Sequence, residues 1–194
     1  RTPPSRRPPS GTSRPCSDPS RPVACGGARG YRRGVSEIFA GDLGPDVVLD
    51  DLLVVDRDLS GQQAPGARLD GARLERVVLD GVRLTNARLV ETELDECRAD
   101  VLSIVGASLA EVTLTACRVG ALEAFDAELS DVTVRGGKLD LVNLRGARLR
   151  DVTLEDVVVG ELDLADAEAV RVRLVGCRVE RLDLTRARLR DVDL

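Results

Sequence analysis

The 194-residue chain contains no histidine, no methionine and no tryptophan, and its aromatic complement is two phenylalanines and Tyr31. The missing histidine removes the side chain most often used as a general base near neutral pH. It also excludes nucleophilic triads of the Ser-His and Cys-His kinds. Lys138 is the single lysine, and no GxxxxGK[ST] phosphate loop occurs. No apolar run approaches the ~18–20 residues that span a bilayer, and no signal-peptide core is present. A cytoplasmic, non-enzymatic protein without membrane association is therefore expected. With no Met at position 1, the start is expected to be processed, fragmentary or misassigned.

Cysteine is present but offers no metal-ligand spacing. Among Cys16, Cys25, Cys97, Cys117 and Cys177 there is no CxxC pair, so neither a metal nor another cofactor is expected. Cys16 and Cys25 have no assignable partner; a bridge between them requires an oxidising compartment.

Charge is distributed unevenly. Residues 1–34 carry eight Arg against Asp18 and are rich in Pro, Ser and Gly. Such a stretch buries too little apolar surface to offset its ordering entropy, so a disordered basic tail is expected. Phosphate binding by that tail is conceivable on charge alone, but the interleaved aromatics that stack on bases are missing apart from Tyr31. Residues 35–66 read as an N-terminal cap followed by an irregular first coil. Ile38 and Phe39 are positioned to cover an exposed core slice, and Arg57 and Gln62 occupy positions where apolar residues belong. Residues 67–194 hold 25 acids and 19 basic residues.

What the chain has in abundance is a step of five. From Leu69 to Leu194 every fifth residue is Leu, Val, Ile or Ala, and a second, mostly apolar position lies two residues before each. A period of five fits neither a helix nor a flat strand. Two apolar positions separated by one residue point the same way in extended chain, so each five reads as a short side followed by a turn. Steps of twenty sort the inward residues by size. One series is Ala67, Ala87, Ala107, Ala127, Ala147, Ala167 and Ala187. Another is Val77, Cys97, Cys117, Gly137, Val157 and Cys177, which makes its cysteines core fillers. Residues twenty apart are thus expected to stack, with four sides per coil. At ~4.8 Å per coil, roughly 6.4 coils make a rod of about 31 Å.

Fives such as Ala67-Arg68-Leu69-Asp70-Gly71, Ala87-Arg88-Leu89-Val90-Glu91 and Ala147-Arg148-Leu149-Arg150-Asp151 resemble the pentapeptide-repeat family, whose motif is roughly A-[D/N]-L-x-x. The chain departs from it in placing Arg often at the second position and almost never Phe at the centre. The resemblance implies an all-β, right-handed quadrilateral β-helix (solenoid) of about 6–7 coils with 20 residues per coil. It also implies a scaffold or protein-interaction module whose partner the residues do not name. One branch of that family imitates duplex DNA and protects type II topoisomerases such as gyrase, which is the alternative function. Against close imitation, a net −6 over about 31 Å is one charge per ~5 Å, whereas duplex DNA carries one per ~1.7 Å. Direct nucleic-acid binding by the solenoid is not expected.

Outward columns complete the reading. Glu128, Arg148, Glu168 and Arg188 alternate in sign and suggest an ion-pair ladder, and Thr113, Thr133 and Thr153 form a neutral column. Four acids, Glu91, Glu111, Asp131 and Asp151, follow one another at twenty-residue steps. Like charges directly opposed destabilise a sheet, so this stripe is either a solvated face or a binding stripe for a basic partner. Past Arg190-Asp191-Val192-Asp193-Leu194 no capping element follows, so either the record is truncated or the open end forms a dimer.

Overall fold

The computed structural model describes residues 37–194. The basic segment 1–34, with Cys16 and Cys25, lies outside the described residues. No helix occurs among those described, so none is long and apolar enough to cross a membrane. The strands are short and parallel. From Val48 onward each pairs with the strand exactly one repeat of 20 later, as in Leu69↔Leu89, Leu109↔Leu129 and Leu122↔Val142. The outcome is a β-solenoid of about seven turns.

Four faces make each coil. Face I is centred on Leu69, Leu89 and their equivalents, face II on Leu74 and Leu94, face III on Leu79 and Ala99, and face IV on Leu84 and Ile104. Faces I and II share a 13-stranded sheet, and faces III and IV share a 6-stranded one. The twenty-step columns point inward as the residue sizes require. Ala107, Ala127 and Ala147 are fully buried on one wall, and Val132, Val152 and Val172 line the next. Each fully buried Leu or Val contributes roughly 1.5–3 kcal/mol. Aliphatic side chains alone surround a cavity of about 100 Å³ along the axis.

The few polar inward residues are satisfied by the coil beneath. Thr92 donates its hydroxyl to the carbonyls of Val90 (3.0 Å) and Leu69 (3.4 Å). Cys97, Cys117 and Cys177 point their thiols at the equivalent carbonyls of Leu74, Leu94 and Leu154, at 3.4, 3.5 and 3.3 Å. A small donor suits this position because a carbonyl from the preceding coil always faces it. All three thiols are free. Neighbouring Cys117 and burial together push the Cys97 thiol well above its ordinary range.

At the N-terminal end the strand Glu37–Ile38 pairs with Leu52–Val55, and the Phe39 amide donates to the Leu53 carbonyl at 2.8 Å. Phe39 and Leu43 pack on the core, whereas Ile38 is 65% exposed. Residues 47–66 already follow the twenty-residue register. The polar residues at their inward positions hold the cap in place. Gln62 accepts the Leu43 amide through Oε1 at 2.6 Å and donates Nε2 to Asp42 at 3.0 Å. Arg57 donates to the Gly41 carbonyl at 3.3 Å.

Corners fix what stands on the edges of the rod. The turning residue at most corners has a left-handed backbone, with φ near +50 to +60° at Asp51, Asn86, Asp126 and Asp166. Asp and Asn tolerate that region better than other residues with a Cβ. Where Asp or Asn is followed one coil later by Gly, the side-chain oxygen occupies the space a Cβ would need. A Cβ on Gly106 would lie 2.6 Å from Asn86 Oδ1, and one on Gly146 would lie 2.6 Å from Asp126 Oδ1. Where Arg follows instead, it clasps the carboxylate below, as Arg76 does Asp56 and Arg186 does Asp166.

Candidate binding edge at the corner between faces I and II

Glu91, Glu111, Asp131 and Asp151 are the turning residues of one corner in four successive coils. Their φ values are +48, +56, +56 and +55°. The preceding residues pair in register, Val90↔Ala110 and Ala110↔Ser130, and the amides of Glu91 and Glu111 each donate to the next coil at 3.0 Å. The backbone therefore spaces these four residues at the strand separation of ~4.8 Å and turns their side chains outward. Two of them are Glu, which gains none of the left-handed tolerance of Asp. Local backbone preference thus does not account for acidity at Glu91 and Glu111.

The four are not equivalent. Arg171, next in the column, grips Asp151 with two hydrogen bonds, Nε–Oδ1 at 2.5 Å and Nη2–Oδ2 at 2.6 Å. The hydrogen bond from Arg171 holds the Asp151 carboxyl below its ordinary value of 3.8, aided by the positive charges of Arg171, Arg150 and Arg173. Glu91, Glu111 and Asp131 are exposed and belong to none of the ion pairs among the described residues. The acidic edge is therefore three free carboxylates closed off by an Asp–Arg pair. Beside it Thr113, Thr133 and Thr153 pair in register, as the sequence pattern indicates, a neutral column that Arg173 continues one coil on, beside Asp151. On face I, Glu128–Arg148 and Glu168–Arg188 form at 2.6 and 2.7 Å. The expected ladder is thus two separate rungs.

Chemically the edge can accept charge-assisted hydrogen bonds from a row of cations. Asp131 also accepts a long hydrogen bond from the neighbouring Ser130 hydroxyl, at 3.4 Å. Among the described residues no group of three or more acids and cysteines could hold a metal ion.

A family model described as pentapeptide repeats matches residues 58–98, in eight copies. No curated protein matches the chain at the sequence level. Among solved structures, it is similar to HetL, a pentapeptide repeat protein involved in heterocyst differentiation regulation from the cyanobacterium Nostoc sp. strain PCC 7120. That similarity has 21% identity and a TM-score of 0.30, covering 80% of this chain and 90% of that one. QnrB1, a plasmid-mediated fluoroquinolone resistance protein, is 14% identical with a TM-score of 0.26, covering 81% of this chain and 92% of its own.

Proposed function

We propose that this chain, whose residues 58–98 match the pentapeptide-repeat family model in eight copies, serves as a non-catalytic interaction rod whose acidic edge binds a basic segment of a partner protein. The observation that carries the reading is the contrast within one column. Asp151 is paired with Arg171, while Glu91, Glu111 and Asp131 stand in consecutive coils and belong to none of the ion pairs among the described residues. Carboxylates repeating at ~4.8 Å suit basic side chains on one helix face, where neighbours at i, i+3 and i+4 lie ~5–6 Å apart. Long Lys and Arg side chains absorb the remaining mismatch.

The test is fluorescence anisotropy with a labelled alanine-based helical peptide bearing Lys at every fourth position, against a scrambled peptide of the same composition. The aligned peptide binds more tightly, and the triple variant E91Q/E111Q/D131N abolishes the difference. Equal binding by the two peptides, or by wild type and variant, refutes the reading. Imitation of duplex DNA demands denser charge than this rod carries, because 20 basic residues are interspersed with 32 acids between residues 37 and 194. A gyrase supercoiling assay separates the two: the interaction-rod reading expects neither binding nor protection.

A further inference from the structure

Face III sorts its charges by column. On face I a single column mixes both signs, as Glu128 and Arg148 do. On face III the strands beginning at Arg98, Arg118, Lys138, Val158 and Arg178 pair in register, and these first residues form one outward column. Two residues further on, pointing the same way, a second column runs Asp100, Gly120, Asp140, Gly160 and Glu180. Over these five coils the first column holds no acid and the second no cation. Arg98, Asp100, Arg118, Arg178 and Glu180 are exposed and belong to none of the ion pairs among the described residues. Lys138 and Asp140, side by side in one coil, pair at 2.6 Å. The acids of the coils beneath are already committed. Asp80 accepts the amides of Asp100 and Val101, each at 3.2 Å. Asp58 accepts the hydroxyl and amide of Ser60, at 2.5 and 3.0 Å, with Arg98 a minor influence on its carboxyl.

A partner of one sign does not fit this face. A polyanion attracted to Arg98 and Arg118 meets Asp100 and Asp140, and a polycation meets the reverse. The matching surface must carry a cation column and an acid column in crossed order, at the same spacing of ~4.8 Å. A second copy of face III supplies both when the two copies are related by a two-fold axis parallel to the rod. That rotation sets the cation column of each copy against the acid column of the other, coil for coil. A two-fold lying across the rod would instead oppose cations to cations.

We propose that two copies of the chain associate side by side and parallel through face III. Arg98 then faces Asp100 of the second copy, and Arg178 faces its Glu180. Arg118 faces the bare backbone of Gly120, between Asp100 and Asp140 one coil to either side. Gly120 and Gly160 are dictated by the coil beneath, since a Cβ there would lie 2.6 and 2.5 Å from the carbonyls of Asp100 and Asp140. The Lys138–Asp140 pairs of the two copies close into a ring of four alternating charges, a network where a lone exposed pair contributes little. Val158, 37% exposed, faces Gly160, and Leu141, equally exposed, faces the corner Gly136-Gly137. The one like-charge approach at matched positions is Glu161 with Asp156, and Arg181 already holds Glu161 at 2.8 Å. Five coils of a side ~10 Å wide bury less than about 1,000 Å² in total, so the dimer is weak and salt-sensitive. It is independent of the acidic edge, because face III does not adjoin the corner between faces I and II.

Analytical ultracentrifugation of the whole chain is expected to show a monomer–dimer equilibrium. Its dissociation constant should be about 100 µM or tighter at about 0.05 M salt, and weaker by about tenfold at about 0.5 M. The deciding reagent is R98D/D100R/R118D/K138D/D140R, in which the two columns trade signs. It retains opposite charges side by side within each coil, so its circular dichroism and urea midpoint are expected to match wild type. It should dimerise with itself as wild type does. Fluorescently labelled wild type should ignore an excess of it, because acid column now meets acid column across the interface. R98Q/R118Q, which introduces no charge, is expected to weaken dimerisation by about tenfold, while E91Q/E111Q/D131N leaves it within about twofold. Wild type that stays monomeric at about 0.5 mM in low salt overturns the proposal. So does labelled wild type that joins the exchanged variant as readily as itself, or undiminished dimerisation of R98Q/R118Q.

Discussion

Gly136 and Gly137 provide an internal comparison of two contributions to stability. Both have left-handed backbones, with φ of +62 and +85°. A Cβ on Gly136 would meet nothing within 4 Å. A Cβ on Gly137 would overlap the Cys117 carbonyl oxygen and lie 2.9 Å from the Cys117 nitrogen and 3.1 Å from the Ala116 carbonyl carbon. Alanine at either position incurs roughly 1–2 kcal/mol of left-handed strain. Each replacement also stiffens the unfolded chain, by about 0.4–1 kcal/mol in the opposite direction, and that contribution cancels between them. Only Gly137→Ala adds forced displacement of packed backbone, about 1–3 kcal/mol. Gly136→Ala is therefore expected to cost about 1 kcal/mol and Gly137→Ala about 2–4 kcal/mol. Urea unfolding at a common m-value measures the difference. Because the obstacle is main chain, Cys117→Ala does not rescue Gly137→Ala. Indistinguishable midpoints for the two glycine variants, or rescue by the cysteine variant, would refute the close approach.

Four further outcomes are expected. Ala124 lines the axial cavity between Leu84 and Ile104 on one side of its column and Leu144 and Leu164 on the other; Ala124→Ile raises stability by about 0.5–2 kcal/mol, and a lowered unfolding midpoint would mean the cavity cannot take the added carbons. Gln62→Leu strips the Leu43 amide of its acceptor and costs about 1–3 kcal/mol, read as faster hydrogen exchange at Leu43. Arg76, Arg171 and Arg186 hold the carboxyls of Asp56, Asp151 and Asp166 below their ordinary 3.8, so the stability they lend is present above that value and is lost as pH falls below it. The urea midpoint of wild type should accordingly exceed that of D56N/D151N/D166N near neutrality, with the gap narrowing as the pH is lowered through the depressed carboxyl range; a gap that does not narrow in acid contradicts the assignment. Cys97 and Cys117, buried and with the Cys97 thiol held protonated, should react with a thiol reagent only after unfolding, and rapid native labelling would contradict their placement.

The stacking was legible from residue size. Ala107, Ala127 and Ala147 could share a wall only if twenty residues close a coil, and they do. The corner chemistry was also written in the chain: Asn86–Gly106 and Asp126–Gly146 follow the same twenty-step rule, but their meaning depends on a backbone sign that hydrophobic periodicity does not carry. The pairing of Asp151 was within reach too, because Arg171 is simply the next residue of its column. Arg57 and Gln62 could not be understood from the repeat, since their partners, Gly41, Asp42 and Leu43, lie in a non-repetitive segment brought back over the first coil.

The shared offset of 20 between neighbouring strands has a consequence for how such a chain can change length. Deleting one five would preserve the rhythm of apolar residues yet rotate everything downstream by a quarter turn. Alanines would then abut valines, arginines would leave the aspartates they clasp, and branched side chains would be driven into left-handed corners. Removal of a full circuit would instead join matching walls and shorten the rod without disturbing its faces. Lineages of this protein are therefore expected to differ by whole circuits, with single fives gained or lost only at the ends.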